Sequence, residues 1–203
     1  MKTLLVVGDS ISLQYGEYFK QFVSGMFDIY RKEGLEAALQ NLDIPIGGNG
    51  GDSSMVRQYL SRILLDEGHF YHNIVFNCGL HDIKVDVASG KIQVPLAEYA
   101  TNLRFILDLL QQRGIVPIWV RTTMVQDERH NSRIDIFKRY NRDVLHYNET
   151  ADAIVSEYGV DSIDLYSFTE RFGDEAYSDH IHFKPHISAL QAAFMAGYLA
   201  RYC

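Results

Sequence analysis

The chain has 203 residues, 47% of them hydrophobic, which is the size and composition of a globular protein, and we expect residues 1–203 to form a single domain. It carries 19 Lys and Arg against 26 Asp and Glu, a net charge of −7, so a nucleic acid would be repelled rather than bound. Two cysteines, Cys78 and Cys203, are too few for a disulfide scaffold or a cysteine-ligated zinc site, and we expect free thiols.

Apolar runs are short throughout the chain, and none approaches the ~18–20 residues of a membrane span. The longest run near the start, residues 4–7, is also too short for the core of a signal peptide. We therefore expect a soluble protein that is cytoplasmic, or exported with its signal peptide absent from this numbering. The sequence carries no indication of an oligomeric state.

Short β-rich runs alternate with longer segments of helical period, a pattern typical of βαβ units around a parallel sheet. The candidate strands are residues 3–7, 42–46, 72–77, 116–121 and 160–165. Between them, apolar residues recur at helical spacing over residues 56–64 and 96–110, which predicts two helices against one face of the sheet.

Two further helices are predicted in the second half of the chain. The first extends from about residue 133 to 158, where Gly159 provides a left-handed end, and the second covers residues 187–202. Gly114 should end the preceding helix in the same way. Because no repeat or linker interrupts this pattern, the elements predict an α/β fold without an internal domain boundary.

Polar residues cluster after the first three predicted strands and again beyond the fifth, on the side where open parallel sheets bind their ligands. The clusters are Gly8-Asp9-Ser10, residues 47–53 with four glycines in five positions, Cys78-Gly79-Leu80-His81-Asp82, and residues 178–183 with Asp179, His180 and His182. We therefore expect the functional site at this edge of the sheet.

Ser10 follows an apolar strand at the start of a helix, where backbone amides favour developing negative charge, and it is a plausible nucleophile. A serine nucleophile needs a base and a third group that orients the base, and Asp179 with His182 can supply both. A second Gly-Asp-Ser, ending at Ser53, lies instead in the glycine-rich loop, where an amide could approach a ligand closely. We expect Gly51 to be that oxyanion donor, with Gly50 as the alternative.

Together, these four blocks resemble the SGNH (GDSL) hydrolase superfamily, in the same order and over nearly the full chain. The resemblance implies a flavodoxin-like three-layer α/β/α sandwich with a five-stranded parallel sheet, and ester hydrolysis without a cofactor. It implies Ser10 as the nucleophile, whose own amide is one oxyanion donor, Gly51 as the second donor, and Asp179 and His182 as the remaining members of a catalytic triad.

One position departs from the superfamily pattern. The third block usually has the form Gly-x-Asn-Asp, in which the Asn amide is the third oxyanion donor, but this chain has Gly79-Leu80-His81-Asp82. An imidazole N–H can replace an amide N–H if the correct ring nitrogen carries the proton. His81 is therefore the expected third donor. Cys78, at the end of a buried strand, is expected to be a core residue without chemistry.

Two other interpretations stay open at this point. Asp179, His180, His182 and His186 could together bind a metal in a metal-dependent hydrolase, although Ser10 and the glycine loop would then have no role. Alternatively, the 13 tyrosines could form a stacking surface in a non-catalytic carbohydrate-binding module.

The substrate is the least defined part of the prediction. Residues 84–93 and 126–132 are polar and contain no long apolar lid, which favours a short acyl group on a carbohydrate or a similar polar alcohol. Lipid and thioester substrates remain alternatives.

Overall fold

The computed structural model describes residues 1–65 and 71–203, and its largest sheet has five parallel strands. These are β1 (Lys2–Val7), β2 (Phe27–Arg31), β3 (Asn73–Phe76), β5 (Val116–Val120) and β7 (Asp161–Ile163), while the short strands β4 (Val85–Asp86) and β6 (Phe137–Lys138) pair with each other. The sheet order is β2-β1-β3-β5-β7. Counting the sheet strands alone, this is the 2-1-3-4-5 order of flavodoxin-like folds.

Helices cover both faces of this sheet. They are α1 (Ser10–Phe22), α2 (Leu35–Gln40), α3 (Ser53–Leu65), α4 (Leu96–Gln112), α5 (Asp127–Asn131), α6 (Asn141–Glu157), α7 (Leu165–Glu170) and α8 (Pro185–Leu199), with 3₁₀ turns at Asp174–Ala176 and Ala200–Tyr202. Helix α1 packs against α8, and α4 packs between α3 and α6. These two groups form the outer layers, which confirms the predicted three-layer α/β/α sandwich with a five-stranded parallel sheet.

The core lies between the sheet and its helices, and its central strand is buried along its whole length. All four residues of β3 are buried, as expected for a parallel strand covered on both faces. Phe76 at its end meets Trp119 of β5 edge to face, with the ring centres 5.1 Å apart. The free thiol of Cys78 follows in the same core, whereas the free thiol of Cys203 is exposed.

The predicted strand at residues 42–46 is wrong, because the second strand of the sheet is β2, at Phe27–Arg31. Residues 42–46 form turns, and Ile44 and Ile46 are 46% and 44% exposed. Strand β2 lies at the edge of the sheet and pairs only with β1. It needs just one covered face, so its apolar residues alternate with polar ones rather than forming a continuous run.

The long helix predicted over residues 133–158 begins later, at Asn141. The side chain of Asn131 accepts a hydrogen bond from the Arg139 amide (3.0 Å) and donates one to the Arg139 carbonyl (2.9 Å). These bonds occupy the backbone groups that a helix would need, and Phe137–Lys138 pairs with Val85–Asp86 as a short strand. The end of the helix is as predicted, with Gly159 at φ +65°.

The other predicted helices are confirmed with shifts of a few residues at their ends. Helix α4 is followed by Gly114 at φ +66°, the left-handed conformation that its lack of a side chain permits. Helix α8 starts two residues earlier than predicted and ends at Leu199. Across residues 1–65 and 71–203, no helix combines the length and the apolar character that crossing a bilayer requires.

The packing of α4 on the sheet gives a direct stability prediction. Leu103 is fully buried, so Leu103→Ala should lower the free energy of unfolding by about 2–5 kcal/mol through lost apolar burial and a residual cavity. Leu96→Ala in the same helix is the matched control, because Leu96 is 38% exposed and should cost far less. Urea unfolding of both variants measures the difference, and equal losses would contradict the assigned face of α4.

Candidate active site

Ser10 lies at the carboxyl edge of the sheet, as the first residue of α1. Gly8 and Asp9 alone separate it from the end of β1, so the chain turns sharply from strand to helix. The Asp9 carboxylate caps the helix by accepting a hydrogen bond from the Ile11 amide (3.0 Å). Ser10 itself is 5% exposed, and its hydroxyl is placed at the positive end of the α1 dipole.

Asp179 and His182 come from the loop before α8 and meet Ser10 in one hydrogen-bonded series. His182 Nδ1 lies 2.8 Å from Asp179 Oδ2, and His182 Nε2 lies 2.9 Å from Ser10 Oγ. The other Asp179 oxygen accepts hydrogen bonds from the amides of Ile181 (2.8 Å) and His182 (2.7 Å). The three side chains singled out in the sequence are therefore brought together with both ring nitrogens of His182 engaged.

The surroundings of Asp179 determine whether its carboxyl group is ionised. Burial alone would raise the pKa of its carboxyl, but hydrogen bonds from the His182 ring and two backbone amides outweigh burial and hold the pKa well below its usual range. A carboxylate that stays ionised beside Nδ1 keeps the proton on that nitrogen. His182 Nε2 is then free to accept the Ser10 hydroxyl proton.

The glycine-rich loop is joined to the turn after β1 by a hydrogen bond from the Gly50 amide to the Gly8 carbonyl (2.8 Å). This bond commits the Gly50 N–H and leaves Gly51 as the candidate oxyanion donor of the loop. The Gly51 amide in turn donates to Asn49 Oδ1 (3.0 Å). To donate to a substrate oxygen, the Gly51 N–H would have to share or give up its hydrogen bond to Asn49 Oδ1.

Gly51 also needs to be glycine for steric reasons. Its φ is +71°, and an added Cβ would lie 2.4 Å from Met55 Sδ and 3.1 Å from Pro45 Cβ. The loop around it is braced by Lys32, whose ammonium donates to the carbonyls of Gly47 and Asn49. Lys32 was not singled out in the sequence, because a lone lysine in a polar segment carries no local signal.

His81 lies in the turn after β3 and is 2% exposed. Its Nδ1 is sealed from solvent without a hydrogen-bond partner among the residues described here, whereas Nε2 is not sealed. Burial first, and then the charges of Lys84, Arg139 and His182, hold the pKa of the imidazole well below its usual range. At neutral pH the ring is therefore uncharged and has a single N–H to donate.

Asp82, the residue after His81, links this turn to the glycine-rich loop. Both of its carboxylate oxygens accept from the Ser53 amide, at 2.9 and 3.1 Å, and the Ser53 hydroxyl accepts from Asn102 (3.0 Å). Burial raises the pKa of Asp82 to about 7 against the lowering effect of the Ser53 hydrogen bonds. Ser53, the serine of the second Gly-Asp-Ser, is thus a fully buried structural residue.

Two further histidines, His130 and His180, lie next to the hydrogen-bonded Ser10, His182 and Asp179 side chains. The His180 ring stands 5.0 Å from that of His130 and 5.9 Å from that of His182, and His180 Nε2 is 3.3 Å from Asp43 Oδ1. His130 is fully buried, and both of its ring nitrogens lack a partner in the described part of the chain. Burial, with a smaller effect of the Arg139 charge, lowers the pKa of His130 to about 3.

The metal-cluster interpretation has no geometric support. His186 is exposed on α8, and both nitrogens of His182 already face Asp179 and Ser10. Within residues 1–65 and 71–203, no three His, Cys, Asp or Glu side chains are grouped so that they could hold a metal ion. Seven of the 13 tyrosines are buried and are therefore not part of a stacking surface.

Solved structures with this architecture cover essentially the whole chain. They include a lipase/acylhydrolase from Enterococcus faecalis (TM-score 0.73, 15% identity, 100% of this chain and 97% of the other) and a GDSL-like lipase from Bacteroides thetaiotaomicron (0.72, 12%, 100% and 89%). The chain has the fold of these proteins. A carbohydrate acetylesterase from Sinorhizobium meliloti is also similar (0.67, 12%, 100% and 100%). Protein-family models and curated proteins give no match.

The buried His130 predicts a loss of stability in mild acid. In the unfolded chain its ring takes up a proton near the ordinary pKa of 6.5, but in the folded protein it does so only near 3, so the free energy of unfolding should fall as the pH drops below 6.5. His130→Leu should make this fall shallower. Urea unfolding at pH 7 and pH 5 measures it, with the exposed His186→Leu as the control. Equal pH dependence in wild type and His130→Leu would contradict the prediction.

Proposed function

We propose that the protein is a serine ester hydrolase of the SGNH type. The observation that carries the proposal is the hydrogen-bonded series from Ser10 through His182 to Asp179 at the carboxyl edge of the sheet, at 2.9 and 2.8 Å. Nucleophile, base and orienting acid in hydrogen-bond reach of one another are the arrangement that activates a serine on any fold. The similarity in fold to lipases, acylhydrolases and a carbohydrate acetylesterase supports the same conclusion.

In the first half of the reaction, His182 Nε2 removes the Ser10 proton while Oγ attacks the ester carbonyl carbon. The carbonyl π electrons move onto its oxygen, and the Ser10 amide, the Gly51 amide and the His81 N–H are the proposed donors to that oxyanion. When the intermediate collapses, the bond to the alcohol oxygen breaks and His182 returns the proton to it. The products of this half are the free alcohol and an acyl group on Ser10.

In the second half, water replaces the alcohol. His182 takes one proton from the water, the resulting hydroxide attacks the acyl carbon, and the acid leaves as Ser10 regains its proton. Asp179 stays ionised throughout because its hydrogen bonds hold its pKa low. No step needs a cofactor or a metal ion.

For the substrate, we propose a short acyl ester, such as an O-acetylated carbohydrate. The support is the polar character of residues 84–93 and 126–132, which contain no apolar lid for a long acyl chain. One protein of the same fold is a carbohydrate acetylesterase.

The assignment of the nucleophile predicts opposite results for the two Gly-Asp-Ser serines. Ser10→Ala should abolish ester turnover and labelling by a fluorophosphonate, since no other hydroxyl contacts His182 Nε2 in the described structure. Ser53→Ala should keep both, because the Ser53 hydroxyl is fully buried and bonded to Asn102. Mass spectrometry of the labelled protein identifies the modified residue. Labelling that survives in Ser10→Ala but is lost in Ser53→Ala would overturn the assignment.

The proposed donor role of His81 predicts that two substitutions at this position lower kcat to different extents. His81→Asn restores an amide donor and should keep kcat within about tenfold of wild type, whereas His81→Ala removes the donor and should lower kcat by roughly 10²-fold or more. The comparison uses one short-chain ester at a matched folded fraction. An Ala variant as fast as wild type would mean that backbone amides alone stabilise the oxyanion.

A further inference from the structure

Among the cationic side chains near the proposed active site, Arg139 and Lys84 have no carboxylate within 4.0 Å in the described part of the chain. Arg139 is only 4% exposed, and its Nε donates to the Leu80 carbonyl (2.6 Å). Lys84 is partly buried, and its ammonium has no hydrogen-bond acceptor there. A buried charge without a partner is costly, so its retention calls for a reason.

Both cations lie over the same aromatic ring. Lys84 Nζ is 4.7 Å and Arg139 Cζ is 4.9 Å from the centre of Phe137. Burial, followed by repulsion from Arg139, lowers the pKa of Lys84 to about 8, so the ammonium is still mainly charged at neutral pH. The protein thus holds two like charges close together within a chain whose net charge is −7.

Lys84 and Phe137 belong to the wall of a cavity of about 480 Å³. Pro45, also in this wall, packs against Gly51. The Lys84 amide donates to the carbonyl of His81 (3.4 Å), so the cavity borders the His81 turn as well. These two contacts link the wall of the cavity to the positions of Gly51 and His81.

The same wall also contains two carboxylates, each with a neighbour of its own. Asp86 Oδ1 accepts from the amide and the hydroxyl of Ser89, at 2.7 and 2.6 Å. Asp43 Oδ1 faces His180 Nε2 at 3.3 Å. An anion entering the cavity would thus meet an ammonium without an acceptor, and the second unpaired cation, Arg139, would add to the attraction through its charge.

We propose that this cavity binds an anionic group of the ester substrate and that Lys84 is the residue that selects for it. The proposal rests on the proposed function and specifies its substrate class as esters that carry a carboxylate, or a group of similar size and charge, on the acyl or the alcohol part. Arg139 is a positioning residue for the turn that carries His81. Its guanidinium is bonded to the Leu80 carbonyl in that turn and is nearly fully buried.

The test compares esters matched in shape but not in charge. On the acyl side the pair is para-nitrophenyl hemiglutarate and para-nitrophenyl valerate, and on the alcohol side it is para-acetoxybenzoate and para-acetoxybenzamide. Wild type should prefer the anionic member of at least one pair by about tenfold in kcat/KM, the scale of one charge-assisted hydrogen bond. Lys84→Met should remove the preference by raising KM for the anionic ester more than KM for the neutral ester.

Lys20→Met is the matched control, since Lys20 is exposed in the last turn of α1, away from the site, and should keep the preference. Lys84→Gln serves in the same way as Lys84→Met if the latter does not fold, as judged by circular dichroism. Equal kcat/KM within both pairs for wild type would overturn the anion proposal while leaving ester hydrolysis intact.

If instead the proposed function is wrong, none of the four esters is hydrolysed and the fluorophosphonate does not label Ser10. Titration calorimetry with monomethyl glutarate at millimolar concentration then decides the anion proposal by itself. Binding to wild type that is lost in Lys84→Met would support it, and absence of binding to wild type would overturn it.

Discussion

The hydrogen bond between His182 Nε2 and Ser10 Oγ joins residues 172 positions apart, and the rest of the site depends on the packing that makes it possible. Helix α1, which begins at Ser10, packs along α8, which follows His182. The Gln14 side chain fixes their relative position, because it donates to the carbonyl of Phe183 and accepts from its amide, each at 3.1 Å. Ser10 and His182 are therefore held by packed helices and not by loops alone.

The remaining parts of the site are joined by buried polar bonds between loops. Gly50 donates to Gly8, and Asp82 accepts from Ser53, so the loops after β1, before α3 and after β3 form one connected unit. Each buried group in this unit would be costly if its partner were removed. Residues that make no direct contact with substrate, such as Asp82 and Lys32, thus determine where the candidate oxyanion donors lie.

The sequence points to the side chains that meet at this edge of the sheet more reliably than it predicts some of the elements around them. Ser10 and His81 belong to short motifs after β1 and β3, and parallel topology brings those strand ends to one edge of the sheet. Asp179 and His182 reach the same edge from the loop before α8. Strand β2 was not predicted, because an edge strand with Asp28 and Arg31 lacks the continuous apolar run of a central strand. The helix boundary at Asn141 depends on a side-chain bond from Asn131, which no local pattern reveals.

The surroundings of the His81 ring determine which of its two nitrogens carries the proton. A neutral imidazole has one N–H, and a proton on the sealed Nδ1 would be a buried donor without an acceptor. The same proton on Nε2, which is not sealed, can meet water or a substrate oxygen. Burial and the nearby Lys84 and Arg139 charges oppose a second proton, as the lowered pKa shows. Lys84 and Arg139 therefore also help to keep His81 in its neutral form, which leaves one N–H donor, on Nε2.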